Sequence, residues 1–238
     1  RHGAAKVTEY HQQGYLSDTV FNFLALLGWT SGDEREVFSR SELIEAFSIE
    51  GMLTRDAIFD EKKLEWLNSE HLRRKSLDSL FQEAVAVWVE AGWISEFEVE
   101  SRKEELTKIV ELLRERIRTV RDFLAVEYFF KDPDQFEEKA RKRHWKGNTL
   151  NRMETLISRL EVLEVFNEEG VEGATRILAG ELEISPARLI HPARLALSGV
   201  GFGPGLFELM QVLGRETCIR RLRTGLRVLG GEALVSKA

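Results

Sequence analysis

Residues 15–29 read YLSDTVFNFLALLGW, and the spacing of their apolar side chains decides the fold class. Apolar residues recur every three or four positions, at Leu16, Val20, Phe23, Leu24 and Leu27. This is the period of one face of an α-helix, which turns once in about 3.6 residues. Gly28 is placed to end the helix, because glycine adopts the conformations that close helices at little cost. The stretch therefore predicts an amphipathic helix with one buried side.

Polar caps and apolar periods predict further helices along the chain. Ser39 and Glu42 have the spacing of a capping box, and Asp60 is placed to begin a helix with Leu64 and Leu67 on one face. Other helices are predicted over 76–91, 101–130, 135–146, 150–166, 171–179, 190–197, 206–213 and 215–228. No alternating pattern longer than about five residues indicates a strand, so the fold is predicted to be all-α.

The composition fits a globular protein and excludes several classes. Hydrophobic residues make up 43% of the chain and charged residues 31%, which is ordinary for a soluble domain. No apolar run is long enough to span a membrane, and the charged start leads into no apolar segment that would indicate a signal peptide. Cys218 is the only cysteine, which excludes an intrachain disulfide and is typical of a buried side chain in a cytoplasmic protein.

Local clusters of basic residues oppose the net charge of −6. The total charge argues against nucleic-acid binding, yet binding depends on where the charges lie. Residues 139–146 hold five Lys or Arg and no acid, residues 215–227 hold five Arg and one Glu, and residues 102–121 hold seven bases and four acids. Basic surfaces for RNA are therefore possible on an acidic chain.

Four arginines lie between residues 114 and 121, on the helix predicted over 101–130. Arg114, Arg118 and Arg121 would share one face of this helix, and Arg116 would point elsewhere. A planar guanidinium pairs with phosphate oxygens and base edges, which is how proteins read single-stranded RNA loops. The alternative is a solvated helix face with ion pairs between neighbouring turns. The pattern alone leaves both open.

No set of residues suited to catalysis or metal binding stands out. The five histidines include no i, i+4 pair, and there is no second cysteine to complete a metal site. Residues 201–205 read GFGPG but lack the Lys-Ser/Thr of a phosphate-binding loop and follow no predicted strand. We expect a structural turn there, and we assign no catalytic residue and no metal site.

Three ordered blocks of sequence stand out along the chain: GYL at 14–16 with ALLGW at 25–29, FD at 59–60 with KLEWLN at 63–68, and PARLALSG at 192–199 with PGLFE at 204–208. Together they resemble the bacterial-type glutamyl-tRNA synthetases, which are class I aminoacyl-tRNA synthetases. The start, RHGA at 1–4, resembles the continuation of the family's signature loop after its second lysine. The resemblance covers nearly the whole chain. It implies a helical anticodon-binding region, where archaeal, eukaryotic and glutaminyl relatives use β-barrels.

The resemblance also implies a division into three segments. Residues 1–75 resemble the stem-contact segment that follows the signature loop, residues 76–133 the first anticodon-binding subdomain, and residues 134–238 the second. Pro133 stands at the second boundary, because proline and the residue before it disfavour a continuing helix.

A set of tRNA-binding residues follows from the same resemblance. Arg114-Glu115-Arg116 matches the family's Arg-x-Arg element, so Arg116 falls on the position that reads the third anticodon base. An arginine there is associated with charging tRNA-Glu and rejecting tRNA-Gln, although the sequence does not decide whether tRNA-Gln is also charged. Gly203 stands where the family often has Thr. The other residues on tRNA-contacting positions are Arg194, Pro204, Leu206, Phe207, Asn68, Ser69 and Arg73. The family often has Gly at position 69, and core packing is the alternative role for Leu206 and Phe207.

The function implied is tRNA-Glu recognition within a glutamate–tRNA ligase, which uses ATP and Mg²⁺ to form glutamyl-adenylate and then glutamyl-tRNA. The family's His-Ile-Gly-His-type element is absent, and the chain starts after the signature lysines. We therefore expect this chain alone to lack the catalytic domain, a cofactor and aminoacylation activity. The expected partner is the anticodon loop and stem of tRNA-Glu, with no membrane and a monomeric state. The alternative is a free-standing helical module that binds a synthetase partner or an amidotransferase.

Overall fold

The computed structural model describes residues 7–54 and 58–235, and the chain divides into two compact units, Arg1–Val126 and Glu127–Ala238. The RHGA stretch at 1–4 lies outside the described residues. Within the described part, helices carry the fold and the only β pairing is an isolated antiparallel bridge between Trp29 and Met52. The all-α prediction is confirmed. No helix among these residues is long and apolar enough to cross a membrane.

The described part of the first unit contains seven α-helices. They are α1 (Val7–Gln12), α2 (Ser17–Gly28), α3 (Arg40–Ala46), α4 (Glu61–Arg74), α5 (Leu77–Glu90), α6 (Glu96–Ser101) and α7 (Lys103–Leu113). The capping box predicted at the start of α3 is present: the Glu42 carboxylate accepts the Ser39 N–H at 2.7 Å, and Ser39 Oγ accepts the Glu42 N–H at 3.3 Å. Asp60 caps α4 as predicted, accepting two backbone N–H groups.

The single helix predicted over 101–130 is wrong. Arg102 separates α6 from α7 with φ −108° and ψ 11°, and α7 ends at Leu113. A turn follows, and then the 3₁₀ segment Val120–Phe129. Asp122 sets the new start, because its Oδ2 accepts the N–H groups of Arg118 and Thr119 at 2.6 and 3.0 Å. The arginines of residues 114–121 therefore do not form one helix face.

The turn after α7 is held in place from two sides. Trp88 of α5 is fully buried, packs edge-on against Phe123 at 5.6 Å and donates its indole N–H to the Phe123 carbonyl at 3.0 Å. On the other side, the Val120 N–H donates to the Gly14 carbonyl at 3.0 Å. Gly14 has φ +86°, and a Cβ there would lie 2.6 Å from the Arg121 nitrogen, so only glycine fits.

The second unit contains five α-helices among its described residues: α8 (Glu138–His144), α9 (Thr149–Glu161), α10 (Glu168–Glu181), α11 (Ala187–Ser198) and α12 (Leu206–Val235). α12 is interrupted at Gly214, with φ 76° and ψ 163°, which confirms the two helices predicted on either side of it. α9, α11 and α12 pack together around fully buried side chains such as Met153, Leu160 and Leu195. Cys218 is free and 0% exposed, as predicted.

Candidate nucleic-acid interface

In the first unit, the turn after α7 lies against the end of α4. The Arg114 guanidinium donates to the carbonyls of Arg73 and Lys75, at 2.5 and 2.7 Å. These carbonyls stand where α4 ends, at positions that have no partner within the helix. Arg114 is thus partly buried and bound to backbone, so its guanidinium stabilises the end of α4.

The other arginines of this turn differ in what they contact. Arg118 forms an ion pair with Glu65 at 3.3 Å, and Arg121 forms one with Glu90 at 2.9 Å. Arg116 is exposed, and its side chain makes no hydrogen bond or ion pair with any residue that the structure describes. Within that part of the chain, Arg116 is the arginine of this turn whose guanidinium is left for a partner outside the molecule.

Asn68 of α4 is an internal bridge. Its side chain is 0% exposed. Its Oδ1 accepts the Leu16 N–H at 2.9 Å, and its Nδ2 donates to the Arg118 carbonyl at 2.5 Å. Both ends of the amide are satisfied within the protein, so Asn68 fixes the turn against α2 and α4. A direct contact to tRNA stays a prediction.

Ser69 and Arg73 lie on the same helix. Ser69 is 6% exposed and donates its hydroxyl to the Trp66 carbonyl at 2.7 Å. Arg73 is half-buried and pairs with Glu70 and with Glu115, the latter at 3.2 Å. The structure therefore brings Arg73, Arg114 and Arg116 to one place in the first unit, with Arg73 held by acids and Ser69 turned inward.

In the second unit, the remaining predicted residues surround the loop 199–205, hereafter the glycine loop. Arg194 of α11 is 9% exposed and Leu206 4%, Pro204 is buried and Phe207 is half-buried. Gly203 has φ +142°, and a Cβ there would lie 3.3 Å from the Tyr128 hydroxyl and 3.4 Å from Arg194 Nη1. A side chain at 203 would be strained and crowded, which explains glycine at that position in this chain.

The glycine loop is fastened to the start of α8. The Glu137 N–H donates to the Gly199 carbonyl, and the Gly201 N–H donates to Glu137 Oε2, both at 2.8 Å. Ala140 of α8 lies 2.9 Å from where a Gly201 Cβ would stand. The loop backbone is thus fixed, while Phe202 at its tip is 68% exposed.

Two histidines that are far apart in the sequence meet where α8 ends. The rings of His144 and His191 stack with centroids 4.5 Å apart. Burial lowers the pKa of both imidazoles, and so does the positive charge around them: His191 and Arg143 act on His144, and Arg194 and Arg143 act on His191. Sequence spacing had no signal for this pair, because α8 and α11 bring them together.

The basic cluster at 215–227 has largely a structural role. Arg221 is 4% exposed and donates to Asp132 and to three backbone carbonyls. Arg215 donates to the carbonyls of Glu161, the last residue of α9, and of Glu164. Arg223 pairs with Glu161 at 2.5 Å, and Arg220 pairs with Asp132. Most of these arginines therefore bind acids or carbonyls within the protein, and they do not form the exposed basic surface that the sequence allowed here.

Two family models match this chain. Residues 79–226 match the family model described as "Anticodon binding domain". The chain belongs to this anticodon binding domain family. Residues 1–66 also match the model for the catalytic domain of the class I tRNA synthetases of the E and Q type. The anticodon binding domain match spans the turn after α7 and the glycine loop, and it ends within the second part of α12.

The curated proteins that this chain is similar to are glutamate–tRNA ligases. The protein of Chloroherpeton thalassium is 39% identical over 231 residues, covering 93% of this chain and 46% of the relative. The protein of Syntrophomonas wolfei is 40% identical over 233 residues, covering 95% of this chain and 45% of the relative. The chain thus spans about half the length of the curated relatives it matches.

Solved structures agree with these relatives. A crystal structure of a glutamate tRNA ligase from Elizabethkingia meningosepticum, in complex with its amino acid, superposes with a TM-score of 0.82 at 29% identity, covering 92% of this chain and 43% of that one. The crystal structure of the glutamate-tRNA synthetase from Elizabethkingia anophelis superposes with a TM-score of 0.78 at 27% identity, covering 92% of this chain and 42% of that one. The family resemblance seen in the sequence blocks is confirmed. The three-segment division at residues 75 and 133 stays a prediction.

Proposed function

We propose that this chain binds the anticodon loop and stem of tRNA-Glu as part of a glutamate–tRNA ligase, and that Arg116 reads the third anticodon base. The observation that carries the proposal is the difference among the arginines of one turn. Arg114 is bound to the backbone at the end of α4, and Arg118 and Arg121 are paired with acids. Arg116 is exposed and has no such partner among the described residues.

Arginine suits the reading of a base edge because its planar fork can donate two parallel hydrogen bonds, and a lysine would present only a point charge. The turn that carries Arg116 is held by Asn68, Asp122 and Gly14, so the guanidinium extends from a fixed backbone. Arg73 and Arg114 support the same surface, one as a cation at its edge and one as the group that orders it. For Arg194, Pro204, Leu206 and Phe207, a second contact surface around the glycine loop is part of the proposal.

The ligase reaction itself uses ATP and Mg²⁺. Among the described residues, no group of three His, Cys, Asp or Glu side chains is placed to hold a metal ion. The glycine loop lies between two helices and directs its Gly201 N–H to Glu137, so it is not a phosphate cradle. We therefore derive no catalytic step from these residues. We assign recognition to this chain, which we further propose to be cytoplasmic and monomeric.

A binding titration with two tRNA-Glu transcripts tests the proposal. One transcript carries the natural C at the third anticodon position and the other carries G. On its Watson–Crick edge an unpaired cytosine offers two adjacent acceptors, O2 and N3, to the guanidinium fork, whereas guanine presents N–H donors there. A bidentate contact of this kind is worth about 1–3 kcal/mol of discrimination, so the chain should prefer C by about tenfold. Arg116→Gln should remove this preference. Arg118→Gln, which removes one nearby exposed cation, should keep it.

Two outcomes would contradict parts of the proposal. If Arg116→Gln keeps the preference for C, another residue reads the base. If the unaltered chain binds neither transcript at low salt, where electrostatic binding to nucleic acid is strongest, the chain is a protein-interaction module instead.

A further inference from the structure

We propose that the exposed face of α8, together with Phe202, is a contact surface for the unpaired anticodon loop of the tRNA, in which cations on α8 bind phosphates and the Phe202 ring stacks on a base. The inference rests on the proposed function, and it adds residues that the sequence blocks do not mark. The cations are Lys139, Arg143 and Lys146.

Charge is the first argument. Lys139, Arg143 and Lys146 are all exposed, and none of their side chains makes a hydrogen bond or ion pair within the described residues. The nearby acids are engaged elsewhere: Glu138 pairs with Arg141 and Lys142 at 3.3 and 3.4 Å. The cluster at 139–146 thus keeps three cations without internal partners among the described residues, whereas four of the five arginines at 215–227 are bound to internal acids or carbonyls.

Geometry is the second argument. Lys139 and Arg143 are four residues apart and so lie on one face of α8, and Lys146 follows just beyond the helix end. Ala140, on the adjoining side of α8, contacts the glycine loop at Gly201. The Phe202 ring therefore extends from a loop that is fixed against the start of α8, where Lys139 lies. Exposed cations beside an aromatic ring are the arrangement by which proteins bind single-stranded nucleic acid.

The stacked histidines lie at the end of α8, beside two of these cations. His144 lies on α8 between Arg143 and Lys146, and its ring packs on His191 of α11. Burial and then the cations around the pair lower the pKa of both rings, so the positive charge of this surface comes from the Lys and Arg side chains.

The test compares charge-matched variants in tRNA-Glu binding over a range of salt concentrations. Lys139→Gln/Arg143→Gln/Lys146→Gln removes the proposed phosphate contacts. Loss of three contacts to a single strand lowers the slope of log affinity against log salt by about 2, which means about 100-fold weaker binding at about 0.1 M salt. The control triple, Lys103→Gln/Lys108→Gln/Arg176→Gln, removes three exposed cations elsewhere and should change affinity by less than about threefold.

Phe202 is tested separately because stacking carries no charge. Phe202→Leu keeps an apolar side chain but loses the aromatic face, and it should weaken binding about tenfold without changing the salt slope. Phe202→Trp should keep wild-type affinity. The isolated anticodon stem-loop must show the same effects as the whole tRNA.

The outcomes separate this inference from the proposed function. If the unaltered chain binds tRNA-Glu but the α8 triple behaves like the control triple, or if its defect is absent with the stem-loop, the α8 surface is wrong and the proposed function stands. Equal binding by Phe202→Leu and the unaltered chain overturns the stacking role. If the unaltered chain binds no tRNA, both fail.

Discussion

Replacing Arg221 should unfold the second unit at markedly lower denaturant concentration, although Arg221 belongs to a cluster that looks like an RNA surface in the sequence. Its Nε donates to Asp132 at 2.8 Å, and its two Nη atoms donate to the carbonyls of Tyr128, Leu197 and Lys131 at 2.7, 2.8 and 3.1 Å. Burial, with the charge of Arg220, lowers the pKa of Arg221 to about 10. The side chain therefore stays charged at neutral pH.

The magnitude follows from what each substitution leaves behind. Arg221→Met keeps much of the volume but leaves three carbonyls without their donor, whereas Asp132 keeps its ion pair with Arg220. Each buried acceptor left without a partner costs about 1–3 kcal/mol, so we expect a total loss of about 3–5 kcal/mol, a large part of the roughly 5–15 kcal/mol by which a domain is stable. Arg221→Lys keeps the charge but cannot reach four acceptors in different directions, so we expect a loss of about 1–3 kcal/mol.

The assay must follow the second unit by itself, because two compact units need not unfold together. Trp145 is the only tryptophan after residue 126, it is 8% exposed, and its indole N–H donates to the Pro192 carbonyl at 3.2 Å. Fluorine NMR of 5-fluorotryptophan protein in urea reports on Trp145 separately from Trp88 of the first unit.

The control is Arg227→Met. Arg227 is exposed on the same helix and, among the residues that the structure describes, donates only to Thr224, at 3.2 Å, so its replacement should cost less than about 0.5 kcal/mol. A loss below about 1 kcal/mol in Arg221→Met would refute the view that the cluster at 215–227 is structural. The Trp88 transition should keep its midpoint in both variants.

Three further predictions test the backbone, the thiol and the histidines. Gly199→Ala should destabilise the chain by more than about 1 kcal/mol, because Gly199 has φ +78° and its Cβ would lie 2.6 Å from the Gln135 carbonyl oxygen; Gly173→Ala, within α10 with open space around it, should instead stabilise by about 0.5–1 kcal/mol in the same urea titration. Cys218 should not react with a thiol reagent until the chain unfolds, since burial raises its pKa to about 12; rapid labelling of folded protein would contradict its placement. Burial lowers the pKa of His71, His144 and His191 below the unfolded value, so their contribution to stability should be fully present above about pH 6.5 and decline as the pH falls below it. In thermal melts from pH 7 to 5, the melting temperature should fall for the unaltered chain and stay constant for a variant with all three histidines replaced by Gln. An equal fall in both proteins would contradict this.

Local patterns predicted the parts of the fold whose partners lie within a few residues. The capping box of Ser39 with Glu42 and the cap at Asp60 join atoms two or three residues apart, so spacing alone identifies them. The break at Gly214 was predicted for the same reason. The prediction of one helix over 101–130 is wrong because Asp122 accepts the backbone N–H groups of Arg118 and Thr119 in a turn. The spacing of these residues in the sequence also fits a continuous helix, so it does not reveal the turn.

The roles of individual arginines could not be predicted, because their partners are backbone carbonyls far away in the sequence. Arg221 binds carbonyls at 128, 131 and 197, and Arg114 binds those at 73 and 75. Every residue carries a carbonyl, so no residue type marks these acceptors, and a structural arginine resembles an RNA-binding one in sequence. The clusters at 139–146 and 215–227 each hold five Lys or Arg, yet only the first keeps exposed cations without internal partners in the described chain. Of these two clusters, the one at 139–146 therefore leaves free positive charge for RNA, and counting charges along the sequence would have assigned it equally to both.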